Sequence, residues 1–248
     1  MPDVTGYRAK MGVIIPSTNT VVEHDYNVMR PHGITFHFGR MFIQDAAAND
    51  DDAIERLIAQ IRASTEDAVR SVVTAKIDHL VMGMSAETFW GGQAGNQAFM
   101  ARVSEIAGGM DVTTGADACG VACEALGVRR VAVVTPYQPV GDAQVRGFFG
   151  DIGLDIVALE GLKCESATAI AEVPEDRLRR TLQSIDSPDV EAIIQVGTNL
   201  SMLRLADEAE RWLGKPVLAI NAVTLWHALR TKGFTDRIAG AGRILRDF

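Results

Sequence analysis

Cysteine is scarce in this 248-residue chain, which contains three. They are Cys119, Cys123 and Cys164, an odd number with no CxxC pair among them. Paired cysteines stabilise small secreted domains and CxxC pairs are typical of zinc sites, so this pattern argues against a disulfide framework and a zinc centre. We therefore expect a reducing compartment, no metal site and a fold that is stabilised by its hydrophobic core.

Long apolar runs and an excess of positive charge are also missing. No segment reaches the roughly 18 consecutive apolar residues of a membrane span, and residues 1–10 lack the basic and then apolar layout of a signal peptide. The net charge of -8 leaves no basic face for a phosphate backbone. We expect a cytoplasmic protein that binds neither membrane nor nucleic acid. Leu225, Trp226 and Leu229 form an apolar helix face that leaves room for a homo-oligomer.

Apolar residues make up 47% of the chain, which is enough for a large core. Short runs rich in Val and Ile alternate with longer segments whose apolar residues recur at helical spacing. The predicted strands are 11–15, 34–43, 79–84, 131–135, 154–159, 192–196 and 216–220. Predicted helices cover 51–76, 115–126 and the residues after Pro174. This alternation predicts an α/β fold with mainly parallel sheet flanked by helices.

The second half of the chain repeats the first in outline. A buried strand ends at a proline in 12–17 and in 131–137, and a strand breaks at a glycine followed by hydroxyl residues in 77–85 and in 190–198. The repeat predicts two pseudo-symmetric halves that pack closely, because no Pro-rich or Ser-rich linker separates them. We place the N-terminal half at 1–112, with 221–248 packing back onto it, and the C-terminal half at 113–220.

Four strand ends that face each other predict one cleft, because ligands of open α/β sheets bind outside the carboxyl ends of the strands. The first end, 16–20, carries three hydroxyls and an amide at a helix start, which is typical of an anion site and also of a plain N-cap. The other ends supply donors that suit a carboxylate or a developing enolate. The candidate catalytic residues are Ser85, Glu87, Tyr137 and Thr198. The candidate substrate-binding residues are Ser17, Asn19, Gly83, Met84, Ser166, Gly197 and Asn199.

Segments 12–20, 36–41, 131–137 and 214–217 together resemble the maleate cis-trans isomerase and arylmalonate decarboxylase branch of the Asp/Glu racemase superfamily. The similarity extends over nearly the whole chain, and the most specific pieces are IPSTNT and VTPY in this order. The resemblance implies two Rossmann-like halves, a cofactor-free site between them and a small mono- or dicarboxylate substrate. By the same resemblance, Asn19 and Tyr137 hold the substrate carboxylate.

The resemblance also implies thiols that this chain lacks. Two-thiol relatives carry a cysteine at the end of the inner strand of each half, and decarboxylase relatives keep the second one. Here these ends read Gly-Met-Ser at 83–85 and Val-Gly-Thr at 196–198. The spacing of Cys119 and Cys123 is typical of residues that pack within a helix. Cys164 lies just past the strand 154–159 and could approach the cleft. A hydroxyl titrates far above a thiol, so serine or threonine cannot simply replace cysteine as a base.

Three functions fit these residues. The first is a cofactor-independent isomerase or racemase-like enzyme that forms an enediolate, with Ser85 or Thr198 activated by a neighbour such as Glu87. The second is a decarboxylase in which preorganised donors act on the two carboxylates, and Tyr137, Glu87 or water supplies the proton. The third is a protein that binds a carboxylate without catalysis.

Overall fold

Two four-stranded sheets form the centre of the computed structural model, which describes residues 3–248. The strands of the first sheet are β1 (Ala9–Pro16), β2 (Ile34–Met41), β3 (His79–Met82) and β4 (Val112–Thr113). The strands of the second are β5 (Arg130–Thr135), β6 (Asp155–Gly161), β7 (Ala192–Gln195) and β8 (Val217–Ala219). Their orders are β2-β1-β3-β4 and β6-β5-β7-β8, and every strand pair is parallel. The α/β prediction with two similar sheets is confirmed.

Helices connect the strands and pack against the sheets. Those before β5 are α1 (Val21–Val28), α2 (Asp51–Val73), α3 (Ala86–Phe89), α4 (Gly92–Ile106) and α5 (Gly115–Leu126). The later ones are α6 (Pro139–Asp151), α7 (Glu175–Ile185), α8 (Leu203–Leu213), α9 (Ile220–Thr231) and α10 (Arg243–Asp247). A short 3-10 helix, Ala169–Glu172, precedes α7.

The long helix α2 owes its position to its amphipathic sequence. Ile54, Ile58 and Ile61 recur at intervals of three to four residues and are buried on one face. The Asp50 side chain caps the helix by accepting a hydrogen bond from the Ala53 backbone N–H at 2.7 Å. The helix packs against β1 and β2, so its buried face is held next to the carboxyl ends of the first sheet.

The predicted elements are confirmed apart from their ends. All seven predicted strands are present with ends that differ from the prediction by at most two residues, and α7 begins directly after Pro174. The sequence does not predict β4, because a two-residue strand has no periodicity. The helix predicted at 51–76 ends earlier, at Val73, and Lys76 has a φ of 54°, which lies in the left-handed region outside any right-handed helix.

Helix α9 runs from the second sheet to the first. It begins directly after β8 and packs against α1, β3, β4 and α5. Leu225, Trp226 and Leu229 are buried within the single chain. They belong to the core of the monomer, so the expectation that they form a free face for a homo-oligomer is wrong. The residue boundaries of the two halves stay predictions.

Candidate active site

The carboxyl ends of β1, β3, β5 and β7 meet between the two sheets, where four predicted site residues form one hydrogen-bonded cluster. Ser85 Oγ and Tyr137 OH lie 2.7 Å apart, so one hydroxyl donates to the other. The Thr198 backbone N–H donates to Ser85 Oγ at 3.2 Å, and Asn19 Nδ2 donates to Thr198 Oγ1 at 3.2 Å. All four residues are buried. We refer to Asn19, Ser85, Tyr137 and Thr198 as the donor cluster.

Asn19 both caps a helix and directs a donor into the cluster, the two roles that the sequence predicts for the turn at 16–20. Its Oδ1 accepts hydrogen bonds from the backbone N–H groups of Val21 and Val22, both at 3.0 Å, and so caps α1. The same side chain turns its Nδ2 toward Thr198 in the other half. Capping the helix therefore fixes the amide plane, and this fixed plane aims a donor at the cluster.

The turn after β7 depends on the conformation of Gly197. This residue has a φ of 100°, and a Cβ on it would lie 2.5 Å from Pro136. Gln195 Nε2 donates to the carbonyl oxygens of Val196 and Gly197, both at 2.8 Å. A left-handed conformation without a side chain is what glycine permits. The turn places the Thr198 N–H against Ser85.

Asn199 links the turn to the first half. Its Oδ1 accepts from the Thr20 backbone N–H at 3.0 Å, and its Nδ2 donates to the Ala167 carbonyl at 2.8 Å. Both ends of the Asn199 amide are therefore engaged in hydrogen bonds to the backbone. Asn199 therefore joins the two halves beside the cluster.

Tyr137 is held in place by its own strand and by α6. Its backbone N–H donates to Thr135 Oγ1 at 3.1 Å, and that hydroxyl donates to the Asp142 carboxylate. Burial raises the pKa of Asp142 to about 6. Burial also raises the pKa of the Tyr137 phenol well above its ordinary range. At neutral pH the phenol is a neutral hydrogen-bond donor and not a phenolate base.

A cavity lies against the donor cluster. The cavity has a volume of about 70 Å³, several times the roughly 10–15 Å³ that one water molecule needs, so it suits a small molecule. Much of its wall is apolar and comes from α2. We refer to this set as the apolar wall: Ile54, Leu57, Ile58, Ile61, Met84, Trp90 and Ile170. No lysine or arginine of residues 3–248 lines the cavity.

The segments that follow β2 and β6 pair with each other beside the cavity, and Ala48 and Ala167 of these segments line it. Ala47 and Ser166 form an antiparallel bridge, flanked by a hydrogen bond of 2.9 Å from Ala48 N to the Glu165 carbonyl. Gln138 Nε2 donates to the Ala48 carbonyl at 2.9 Å. Sequence reasoning missed this contact between the halves, because neither segment carries a periodic or motif signal.

Four predicted residues lie outside the lining of the cavity. Ser17 Oγ accepts from the Ile43 backbone N–H at 3.0 Å, and Ser166 Oγ contacts Thr168 and accepts from the Ala169 N–H. A Cβ on Gly83 would lie 2.6 Å from Ile15, so this glycine serves close packing between strands. The fourth residue, Glu87, is described next. The lining of the cavity does include the predicted Met84, Gly197 and Asn199.

Glu87 is paired away from the hydroxyls. Its Oε1 accepts from Arg62 Nε of α2 at 2.7 Å, while its buried Oε2 has no hydrogen-bond partner among the described residues. Burial raises its pKa, and the arginine lowers it in part. The observed partner of this carboxylate is thus Arg62, which joins α3 to α2, while Ser85 is paired with Tyr137.

The three cysteines differ in position but share a suppressed acidity. Cys119 and Cys123 are buried in α5, whereas Cys164 lines the cavity. Burial raises the pKa of each thiol, that of Cys123 to about 12. A thiol held neutral in this way is a weak nucleophile.

Two further kinds of feature, a metal-binding cluster and a membrane-spanning helix, are absent from the part of the chain that the structure describes. In residues 3–248, no three His, Cys, Asp or Glu side chains are grouped so that they could hold a metal ion. None of the helices described is long and apolar enough to cross a membrane.

Relatives of known activity match almost the whole chain. The maleate isomerase of Nocardia farcinica is 26% identical over 246 residues, which cover 96% of this chain and 95% of that protein. The arylmalonate decarboxylase of Bordetella bronchiseptica is 28% identical over 185 residues, 68% of this chain and 75% of its own length. Both relatives are enzymes, one an isomerase and the other a decarboxylase.

Solved structures agree with the fold. The Nocardia farcinica maleate cis-trans isomerase with a covalently bound succinylcysteine intermediate superimposes with a TM-score of 0.88 at 24% identity, covering 97% of this chain and 99% of that one. An arylmalonate decarboxylase structure gives a TM-score of 0.75 at 25% identity, covering 95% and 98%. The family model described as arylmalonate decarboxylase matches residues 11–245. The chain therefore belongs to the arylmalonate decarboxylase family.

Proposed function

We propose that the protein is a cofactor-independent decarboxylase acting on a malonate-type dicarboxylate that carries an apolar substituent. The observation that carries this proposal is the composition of the cavity. Neutral donors from both halves lie on its floor, and most of its remaining wall is apolar. The donors suit a carboxylate that stays bound, and the apolar wall suits both the substituent and the departure of a charged group as CO₂.

The hydroxyl pair always keeps one hydrogen for the substrate. Ser85 Oγ accepts from the Thr198 N–H and shares one hydrogen bond with Tyr137. If Ser85 donates to Tyr137, the phenol hydrogen is free to donate to a ligand. If Tyr137 donates to Ser85, the serine hydrogen is free instead. In either arrangement the cluster presents a neutral O–H donor to the cavity.

In the proposed step the bond between the α-carbon and one carboxylate breaks, and that carboxylate leaves as CO₂. Its bonding electron pair moves into the enediolate of the remaining carboxylate, which the donor cluster stabilises. The hydroxyl pair of Ser85 and Tyr137 then gives a proton to the α-carbon, and water restores that proton. No arginine or lysine of the described residues lines the cavity, so the leaving carboxylate is weakly stabilised before it departs.

Isomerisation of maleate is the second candidate, because a maleate isomerase matches over nearly its full length. The sequence placed this function first. The relative whose structure contains a succinylcysteine forms a bond to a thiol, whereas the inner strand ends of this chain carry Ser85 and Thr198 and the one thiol on the cavity wall has a raised pKa. The thiol that the resemblance implies for a decarboxylase is absent as well, but decarboxylation as proposed above needs only a proton donor, which the hydroxyl pair supplies. We therefore favour the decarboxylase.

The test is to incubate the purified protein with phenylmalonate, methylmalonate or maleate in D₂O and to follow proton NMR. We expect phenylacetate with deuterium at the α-carbon, formed at least tenfold faster than propionate from methylmalonate, because the apolar wall binds the ring. Ser85→Ala is the matched control for trace contaminants and is expected to lose this activity.

Other outcomes decide against the proposal. Fumarate formed from maleate would establish the isomerase instead. Saturable binding of phenylmalonate without turnover would establish a carboxylate-binding protein.

A further inference from the structure

Behind the donor cluster lies a buried carboxylate that the reaction does not use directly. Asp25 of α1 is 2% exposed, and its Oδ2 accepts a hydrogen bond of 2.8 Å from Asn221 Nδ2 at the start of α9. The same Nδ2 donates to the Thr198 carbonyl at 3.0 Å. Neither Asp25 nor Asn221 lines the cavity. The carboxylate thus reaches the cluster through one amide group.

Thr198 is consequently held at three atoms. Its backbone N–H donates to Ser85 Oγ, its Oγ1 accepts from Asn19, and its carbonyl accepts from Asn221. The peptide groups on both sides of this residue are therefore fixed, directly after the left-handed Gly197. Such fixed donors stabilise a developing charge without reorganising during the reaction.

The buried Asp25 carboxylate lowers the stability of the folded protein. Burial raises the pKa of Asp25 to about 6, so its ionised form, which dominates at neutral pH, is disfavoured inside the protein. Its titratable neighbours on α1 are His24 and the buried Tyr26. The packed helix α9 presents the Asn221 amide, and Arg40 of the packed strand β2 forms its ion pair with a different α1 carboxylate. Within residues 3–248 no lysine or arginine forms an ion pair with Asp25, and the charge of His24 lowers the pKa of Asp25 only in part.

We infer that Asp25 and Asn221 are positioning residues, which hold the Gly197–Thr198 turn in the geometry that the active site needs. The Asp25 carboxylate orients the Asn221 amide through a charge-assisted hydrogen bond, and the amide fixes the Thr198 carbonyl. The kinetic part of this inference rests on the proposed decarboxylase function, whereas the structural part does not.

The test compares Asp25→Asn and Asn221→Ala with Thr224→Val. Thr224 is a matched control, because it is buried on the same helix one turn further on and its hydroxyl donates to the Ile220 carbonyl, away from the site. With phenylmalonate as the probe, Asp25→Asn is expected to lower kcat about 10-fold or more, with KM changed less than threefold. Its Tm at pH 8 is expected to rise, because the buried charge is gone. Thr224→Val is expected to keep kcat within twofold.

A variant that is more stable and less active cannot be explained by a purely structural role. Should Asp25→Asn and Asn221→Ala both keep the kcat of the Thr224→Val control, the inference is overturned. If the wild-type protein does not convert phenylmalonate, the proposed function fails, and amide hydrogen exchange then tests the structural part. Faster exchange at Thr198 in Asn221→Ala than in Thr224→Val supports positioning, and equal exchange refutes it.

Discussion

The two halves share a strand order but contribute differently to the site. In the first half the glycine after the inner strand, Gly83, packs closely against Ile15, whereas in the second half the glycine after the inner strand, Gly197, comes one position later and has a φ of 100°. Helix α2 of the first half has 23 residues and supplies most of the apolar wall, whereas α7 has 11 and supplies none of it. Although the scaffold is repeated, the first half shapes the cavity and the second half directs a backbone donor into the site.

We expect the largest loss of activity when the hydroxyl pair of Ser85 and Tyr137, which joins the two halves, is disrupted. Tyr137→Phe and Ser85→Ala each remove one side of the 2.7 Å hydrogen bond. Loss of one preorganised donor costs about 10²–10³ in kcat, so either variant is expected to lose this much activity on phenylmalonate. Steady-state kinetics measure the loss, with circular dichroism as the control for folding. Full activity in both variants would remove the hydroxyl pair from the mechanism.

The two glycines predict a difference in stability. A Cβ at position 197 meets Pro136 at 2.5 Å in a conformation that L-residues disfavour, while one at position 83 meets the Cγ2 methyl group of Ile15 at 2.6 Å in an ordinary backbone conformation. We expect Gly197→Ala to lower the free energy of unfolding by about 2–4 kcal/mol and Gly83→Ala by about 1–3 kcal/mol. Urea denaturation measures both. Equal losses would mean that the halves use their glycines alike, and a larger loss in Gly83→Ala would mean that close packing at position 83 matters more than the backbone conformation at position 197.

Each half also carries an aspartate beside the site, Asp25 buried and Asp142 partly buried, and this predicts a dependence of stability on pH. Burial raises the pKa of Asp25 and of Asp142 to about 6. Because the folded pKa lies above that of an exposed aspartate, ionisation costs stability in full above pH 6, and the cost disappears as the pH falls toward 4. The free energy of unfolding of Asp25→Asn should therefore exceed that of the wild type by about 3 kcal/mol at pH 8, and the two values should converge near pH 4.

Urea denaturation at pH 4, 6 and 8 measures this difference. A constant difference across this range would mean that Asp25 is not the titrating group. Asp142→Asn is the matched variant in the second half, and its gain at pH 8 is expected to be smaller because Asp142 is only partly buried.

The cavity thiol is expected to have the smallest effect. Cys164 comes from the second half, and its raised pKa keeps it neutral. Cys164→Ala should change kcat on phenylmalonate by less than about threefold, because the proposed proton donors are hydroxyls. A loss comparable to that of Tyr137→Phe would instead assign the chemistry to this thiol. Cys119→Ala, in the core of α5, is the control for lost packing.

Much of the fold could be predicted from the sequence because its signals are local. Strand and helix periodicity, the proline after β1 and β5 and the glycine after β3 and β7 are each read within a few residues. The same signals led to Asn19, Ser85, Tyr137 and Thr198, which the structure brings into one cluster. Ser17 and Ser166 carry similar local signals, yet their hydroxyls bind nearby backbone N–H groups.

The rest depends on contacts between residues far apart in the chain. The Glu87 carboxylate pairs with Arg62, Ala47 pairs with Ser166, and Asp25 reaches Thr198 through Asn221. No local pattern encodes such pairs. The residue type shows which groups a side chain can bind, but the tertiary fold decides which of these groups lies next to it. The sequence by itself determined the repeated α/β scaffold and its strand-end donors. Tertiary packing decided which polar groups hydrogen-bond with each other and which remain available to a ligand, because a buried polar group without a hydrogen-bond partner destabilises the fold.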